Sequence, residues 1–155
     1  MPVYIDDLHK GEVFESGGRT VTETDVVLFV GLSGDSNPLH TDEEFAKTTP
    51  YGTRIVPGLL GLSIVAGLMH RMGVFDGTAL AALGIEEWRF KAPMFFGDTL
   101  RMRMTVTGIR RTSRGDRGVV QRHFELLNQR DEVVQEGTMN LMVKARNYGA
   151  QEGSG

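Results

Sequence analysis

Pro57-Gly58-Leu59-Leu60-Gly61-Leu62-Ser63-Ile64-Val65-Ala66-Gly67-Leu68-Met69-His70-Arg71-Met72-Gly73 is the stretch whose reading decides the fold. Pro57 fits near the first helical position, where a missing N–H costs nothing, and Gly73 is a natural stop. The spacing predicts a helix over 58–72. Its apolar residues, Leu59, Leu60, Leu62, Ile64, Val65, Leu68 and Met69, fall on nearly every side of a helical wheel, which predicts a helix buried all round. Gly58, Gly61 and Gly67 each weaken it by roughly 1 kcal/mol relative to Ala. They would permit close approach of sheet backbone or ligand, although plain packing accounts for Gly61 and Gly67. The apolar run from Ile55 to Met69 is shorter than the roughly 20 residues a bilayer span needs. It therefore reads as a core helix.

Downstream of Gly73 the period changes from helical to alternating. Leu80 to Phe90 reads as a strand, and Pro93 to Thr99 as a turn. Leu100, Met102, Met104 and Val106 then alternate with Arg101, Arg103, Thr105 and Thr107, the signature of a half-buried strand. Ser113 to Gly118 is a hairpin loop, Val119 to Asn128 a third strand, Gln129 to Glu132 a turn, and Val133 to Ala145 a fourth strand. Consecutive strands with short loops predict an antiparallel meander. A single apolar helix with such a sheet is an α+β layer structure, the helix lying against one face.

Upstream, Glu12 to Glu15 reads as a short strand and Gly17-Gly18 as a turn. Thr22-Glu23-Thr24-Asp25 forms a capping-box start for a helix running to about Ser33, where Gly34 lets the chain turn. A second short helix is expected from Thr41, as N-cap, to about Lys47. One domain over 1–148 accounts for the chain, with 149–155 a Gly/Ser-rich tail expected to be disordered.

Between those two helices lies Ser33-Gly34-Asp35-Ser36-Asn37-Pro38-Leu39-His40. Pro38 disfavours a helix running through it, so the chain must bend between Asp35 and His40. Such a bend can aim a carboxylate and an imidazole at one small volume, where they could share a water and move protons at neutral pH. As isolated residues, Asp35 would serve equally as a loop cap and His40 as a helix cap. Asn37 is expected to fold the loop by bonding backbone. Gly58 is the second candidate. Its N–H, at the start of a buried helix, has no intrahelical partner and carries partial positive charge.

The Ser33–His40 block resembles the signature of the MaoC-like, or (R)-specific enoyl-CoA hydratase, family. The similarity continues through Asp42, Phe45 and Ala46, through Arg54 to Leu60, and through Phe90-Lys91-Ala92-Pro93 and Gly97-Asp98-Thr99. The resemblance implies a hot dog fold, a long helix wrapped by an antiparallel sheet. It implies a hydro-lyase that adds water to trans-2-enoyl thioesters of coenzyme A or acyl carrier protein, or runs the reverse dehydration. Asp35 and His40 would activate the water, and the Gly58 N–H would hold the thioester oxygen. Two departures stand out. Pro57 occupies a position where many members have His, and Ala66 one where some carry an active-site serine. Ser63, nearly a turn earlier, is the helix's serine and is taken as a supporting residue. The resemblance also implies a homodimer joined sheet edge to sheet edge. A hot dog thioesterase and a non-catalytic acyl-thioester-binding subunit are the alternatives.

Composition narrows the field further. The chain has no Cys, which excludes a disulfide framework, a thiol nucleophile and a thiolate metal site. No histidine pair has metal-site spacing, so no metal is expected. The loop glycines lack a dinucleotide pattern, and no cofactor is expected beyond the thioester substrate itself. The N-terminus lacks a basic region followed by an apolar one, and a cytoplasmic protein is expected. Net charge is −3, but residues 89–130 carry 10 basic and 3 acidic side chains. Most of these arginines belong to the wet face of strands. Arg110, Arg111 and Arg114 are kept as candidates for the substrate's phosphates. No nucleic-acid partner is expected.

Overall fold

The computed structural model describes residues 1–150. In chain order the elements are β1 (Val13–Glu15), β2 (Arg19–Thr20), α1 (Glu23–Ser33), α2 (Pro38–Thr41), α3 (Glu43–Lys47), α4 (Gly58–Arg71), β3 (Ala79–Phe90), β4 (Thr99–Arg111), β5 (Arg117–Leu127) and β6 (Val133–Lys144). The strands form one antiparallel sheet in the order β1-β4-β5-β6-β3, with β2 also paired to β4. The sheet curves around α4, which is the hot dog arrangement of an α+β protein.

Alternation builds the core. Leu100, Met102, Met104 and Val106 of β4 are fully buried, as are Val120, Phe124 and Leu126 of β5. They face Leu60, Ile64, Val65 and Leu68 of α4, which are buried on one side of the helix. Each such side chain contributes about 1.5–3 kcal/mol by leaving water. The arginines of the opposite face of β4 pair with acids. Arg101 reaches Asp131 at 2.7 Å, and Arg103 reaches Glu15 at 2.8 Å and Glu125 at 3.2 Å. At that exposure each is a solvated pair worth little.

Two expectations are corrected. The strands do not follow each other across the sheet, because β3 pairs with β6 and leaves β4 on the far side. Residues 91–98 carry the chain across. The N–H groups of Lys91 and Ala92 still bond the Val134 carbonyl, but Pro93 has no N–H to continue the ladder. The helix, moreover, is not buried all round. Leu59 is 60% exposed, and Ser63, Ala66, Gly67 and His70 lie on the same open side. One curved sheet reaches only one flank of a helix, so apolar residues on the other flank are left uncovered within this chain.

The segment before β1 meets the segment just after β6. Asp7 accepts the Tyr4 N–H at 3.0 Å and a bond from Arg146 Nη2 at 2.6 Å. Asp6 accepts the Arg146 N–H at 2.9 Å and also bonds Arg111. Of the expected tail, Gly149 and Ala150 close a turn, the Ala150 N–H bonding Asn147 O at 3.1 Å. Residues 151–155 lie outside the described residues.

Candidate active site

The loop that carries Asp35 is anchored at both ends. Thr22 and Asp25 form the expected capping box at the start of α1, and Gly34 ends that helix in the left-handed region at φ 75°. Ser33 Oγ bonds back to Phe29 O at 2.7 Å and receives the Asp35 N–H at 3.1 Å. Asn37 then folds the chain as expected, its Oδ1 accepting the Leu39 N–H at 2.9 Å. Pro38, however, does not simply bar helix. It occupies the first position of α2, where its fixed φ is favourable, so His40 lies within a helical turn rather than ahead of one. The next helix is capped by Asp42 and not by Thr41. The Thr41 hydroxyl instead bonds the Ser36 and Asn37 carbonyls at 3.2 and 3.1 Å.

The bend joins α2 to the segment that starts α4. The Ile55 N–H bonds Leu39 O at 3.0 Å, and the Val56 N–H bonds Met94 O at 2.8 Å. Arg54, just before, bonds Glu43 of α3 at 2.7 Å and Glu23 of α1 at 2.8 Å, and stacks over Phe96. The Thr53 hydroxyl and then Arg54 hold the Glu43 carboxyl below its usual range. His40 and Gly58 are thereby fixed to one short run of chain.

His40 Nδ1 lies 2.7 Å from the Ile55 carbonyl oxygen. A carbonyl can only accept, so Nδ1 donates, and in the neutral imidazole the lone pair falls on Nε2. That Nε2 lies 3.8 Å from Asp35 Oδ2, with the imidazole 11% and the carboxylate 47% exposed. The gap is longer than a hydrogen bond and within the span that one bound oxygen can bridge. Both side chains border a cavity of about 450 Å³, which Gly58, Leu59, Phe90 and Lys91 also line.

Gly58 is the first residue of α4 and faces this cavity. A Cβ there would come within 2.8 Å of the Phe90 ring, so a glycine keeps the helix end open. Its N–H has no helical acceptor and sits at the positive end of the helix dipole. The arrangement thus places a base, a carboxylate and an N–H donor around one apolar space. It can take a proton from water and stabilise negative charge on a neighbouring oxygen.

The other candidates fall elsewhere. Ser63 is exposed and donates to Leu59 O at 3.0 Å, away from the cavity wall. An unpaired hydroxyl on a helix bonds the carbonyl four residues back. Arg111 is tied to Asp6 and to Gly115 O, while Arg110 and Arg114 lie at the far end of the β4–β5 hairpin. None of the three lines the cavity. The cation that does is Lys91, paired with Glu136 at 3.2 Å. Among the described residues no cluster of three or more His, Asp or Glu is placed to hold a metal ion, and no helix is long and apolar enough to cross a membrane.

Gln135 is the residue that sequence reading missed. It is buried in β6, donates through Nε2 to Gly58 O at 2.8 Å, and accepts the Trp88 indole N–H at 3.1 Å. It therefore holds the first turn of α4 against the sheet. The available signal was a glutamine in the otherwise apolar inward-facing series of β6, with Met139, Leu141 and Val143.

A sheet-wrapped helix whose N-terminus meets an Asp/His pair over an apolar cavity defines the class: a hot dog protein with groups able to move a proton at one end of its helix. Comparison with known proteins is in accord. The model of the MaoC-like domain matches residues 7–126. The chain is 36% identical over 110 residues to the (R)-specific enoyl-CoA hydratase of Rhodospirillum rubrum, covering 68% of this chain and 71% of that one. It is 33% identical over 148 residues to the β-methylmalyl-CoA dehydratase of Chloroflexus aurantiacus, covering 95% of this chain and 42% of the longer relative. A solved structure described as a monoamine oxidase regulatory protein from Archaeoglobus superposes with a TM-score of 0.86 at 37% identity, over 93% of this chain and 95% of that one. The chain belongs to the MaoC-like dehydratase family and, with it, to the hydro-lyases.

Proposed function

We propose that the protein hydrates a trans-2-enoyl thioester, carried on coenzyme A or acyl carrier protein, to the (R)-3-hydroxyacyl thioester, or catalyses the reverse. The observation that carries this reading is His40 Nε2 facing Asp35 Oδ2 across 3.8 Å, beside the N-terminus of α4. Water held between the two loses a proton to the pair as its oxygen bonds C3. The C2–C3 π electrons move toward the thioester carbonyl, and the Gly58 N–H receives the charge that grows on its oxygen. The pair then returns a proton to C2. One water enters and no oxidation state changes overall, so the reading calls on no redox cofactor. The names of the Rhodospirillum and Chloroflexus relatives favour this chemistry over thioester hydrolysis.

The same reading includes a homodimer. β3 is an edge of the sheet, and its Leu83 and Ile85 are about half exposed, as is Leu59 on the uncovered flank of α4. An unpaired edge with apolar side chains invites a second copy.

The decisive experiment is turnover of crotonyl-CoA followed by loss of enoyl absorbance, with thiol release measured in parallel. Asp35→Asn and His40→Ala should each lower kcat by roughly a hundredfold or more while the fold is retained. Wild-type-like turnover in either variant removes the proposed pair, and thiol release without hydration replaces the reaction with hydrolysis. Sedimentation at micromolar concentration should give twice the chain mass.

A further inference from the structure

The C-terminal half of α4 borders a second cavity, of about 270 Å³. Its walls are mainly apolar, with Ala66 and Met69 from α4, Phe75 beyond it, Ala82 from β3, and Phe124 and Leu141 from the sheet. It shares no lining residue with the cavity at Asp35. The charge set in its wall is Arg122, only 5% exposed.

Arg122 stands on the inward face of β5 between Val120 and Phe124, where the alternation calls for an apolar residue. Its Nε donates to the Met139 carbonyl at 3.2 Å, and Nη1 lies 3.9 Å from Met69 Sδ. The guanidinium lies over the rings of Phe124 and Phe75, 5.0 and 5.5 Å from their centres. Among the described residues no carboxylate pairs with it. The acid at the cavity rim, Asp76, is exposed and lies 3.6 Å from His70 Nδ1. A buried cation without a counter-ion is costly, and proteins seldom keep one idle.

We propose that this cavity binds a carboxylate carried at the end of a short apolar chain, with the Arg122 guanidinium as its counter-ion. The planar fork of a guanidinium matches a carboxylate in two parallel bonds, which a point charge does not. The apolar walls suit the chain behind the carboxylate and give a multiply charged oxyanion little else to bond. Burial alone pulls the guanidinium down to about 10, so it remains charged at neutral pH. The carboxylate has two possible sources. It is either a free monocarboxylate, or the far end of an acyl group whose thioester lies at the other cavity. Leu59 and Ala66, one on each cavity wall, are about 10 Å apart along the helix. The second source rests on the proposed function; the binding itself does not.

The test is calorimetric titration of the full chain with sodium hexanoate, with hexan-1-ol and hexylammonium as controls. Hexanoate should bind, and the alcohol and the ammonium should bind at least about tenfold more weakly. Arg122→Met and Ala66→Phe should each abolish hexanoate binding. Ala66→Phe fills the cavity from the open flank of α4, so, provided sedimentation shows its oligomeric state unchanged, it decides the matter if Arg122→Met does not fold. No hexanoate binding to the wild type, equal binding of hexan-1-ol, or undiminished binding in either folded variant overturns the proposal. Where hexanoate binds, turnover separates the sources. A preference for an enoyl thioester ending in carboxylate over one ending in methyl, lost in Arg122→Met, assigns the site to the substrate's far end. Equal turnover of the two assigns it to a free carboxylate.

Discussion

The two ends of α4 each meet a polar side chain that the sheet sends inward, and the two are treated differently. At the N-terminal end Gln135 gives its amide N–H to Gly58 and takes one from Trp88, so its main bonding needs are met within the chain. At the C-terminal end Arg122 finds one carbonyl, a sulfur and two ring faces but, among the described residues, no opposite charge. The first is architecture: a satisfied amide that fixes where a helix begins. The second holds a net charge in a low-dielectric wall. An inward polar residue in an apolar strand thus has two meanings, and its bonding partners tell them apart.

The largest test of this contrast is at the N-terminal end. Gly58→Ala keeps the N–H but drives a methyl to within 2.8 Å of the Phe90 ring. kcat/KM for crotonyl-CoA should fall by about tenfold to a hundredfold, because a small misplacement of the donor forfeits its contribution. The double variant Gly58→Ala with Phe90→Ala should recover part of the loss. No recovery would mean that the ring is not the obstacle.

Replacing each inward polar residue by methionine is the next test. Gln135→Met strands the Trp88 indole N–H and removes the side-chain bond to the Gly58 carbonyl, and should cost about 1–3 kcal/mol in denaturant unfolding. Arg122→Met removes an unpaired buried charge and should be neutral or stabilise by about 1 kcal/mol. Opposite signs sustain the contrast, whereas equal losses would make Arg122 a structural residue like Gln135.

The smallest effect expected lies away from both ends. The Asp7 carboxyl is held below its ordinary range first by the Tyr4 N–H and then by Arg146, and Asp6 chiefly by the Arg146 N–H. A depressed carboxylate contributes stability above its unfolded pKa and loses it as pH falls through the folded one. Exchange of the Arg146 amide should therefore accelerate as pH drops below about 4 relative to amides of β5, once intrinsic rates are divided out. An unchanged ratio would show that the termini are not held by these carboxylates.

Much of the fold could be read residue by residue. The capping box at Thr22, the stop at Gly34, the start at Pro57 and the alternation of β4 are local signals, and each element appears within a residue or two of its expected place. The start of α3 was read one residue early, because Thr41 and Asp42 are both competent caps and only the competing bonds of the Thr41 hydroxyl decide between them. A turn-forming Asn-Pro and a helix start point to Asp35, His40 and Gly58, and the fold brings all three to one cavity; the roles proposed for them come from the family resemblance and not from the local pattern. Lys91 was visible only as part of a familiar segment without a role. Ser63 was drawn toward the site by its residue type, while the helix turns it outward.

What the residues determined by themselves is the inventory: one apolar helix, four long strands, and a bend between an acid and an imidazole five residues apart. Those features depend on φ preferences, capping and periodicity, all of which act over a few residues. Tertiary structure decided that β3 lies beside β6, that α4 keeps an uncovered flank, that Ile55 O fixes the His40 tautomer, and that Gln135 and Arg122 meet opposite ends of one helix. Each of these joins positions far apart in the chain. Such pairings are settled by which surfaces exclude water together, and no local pattern encodes that choice.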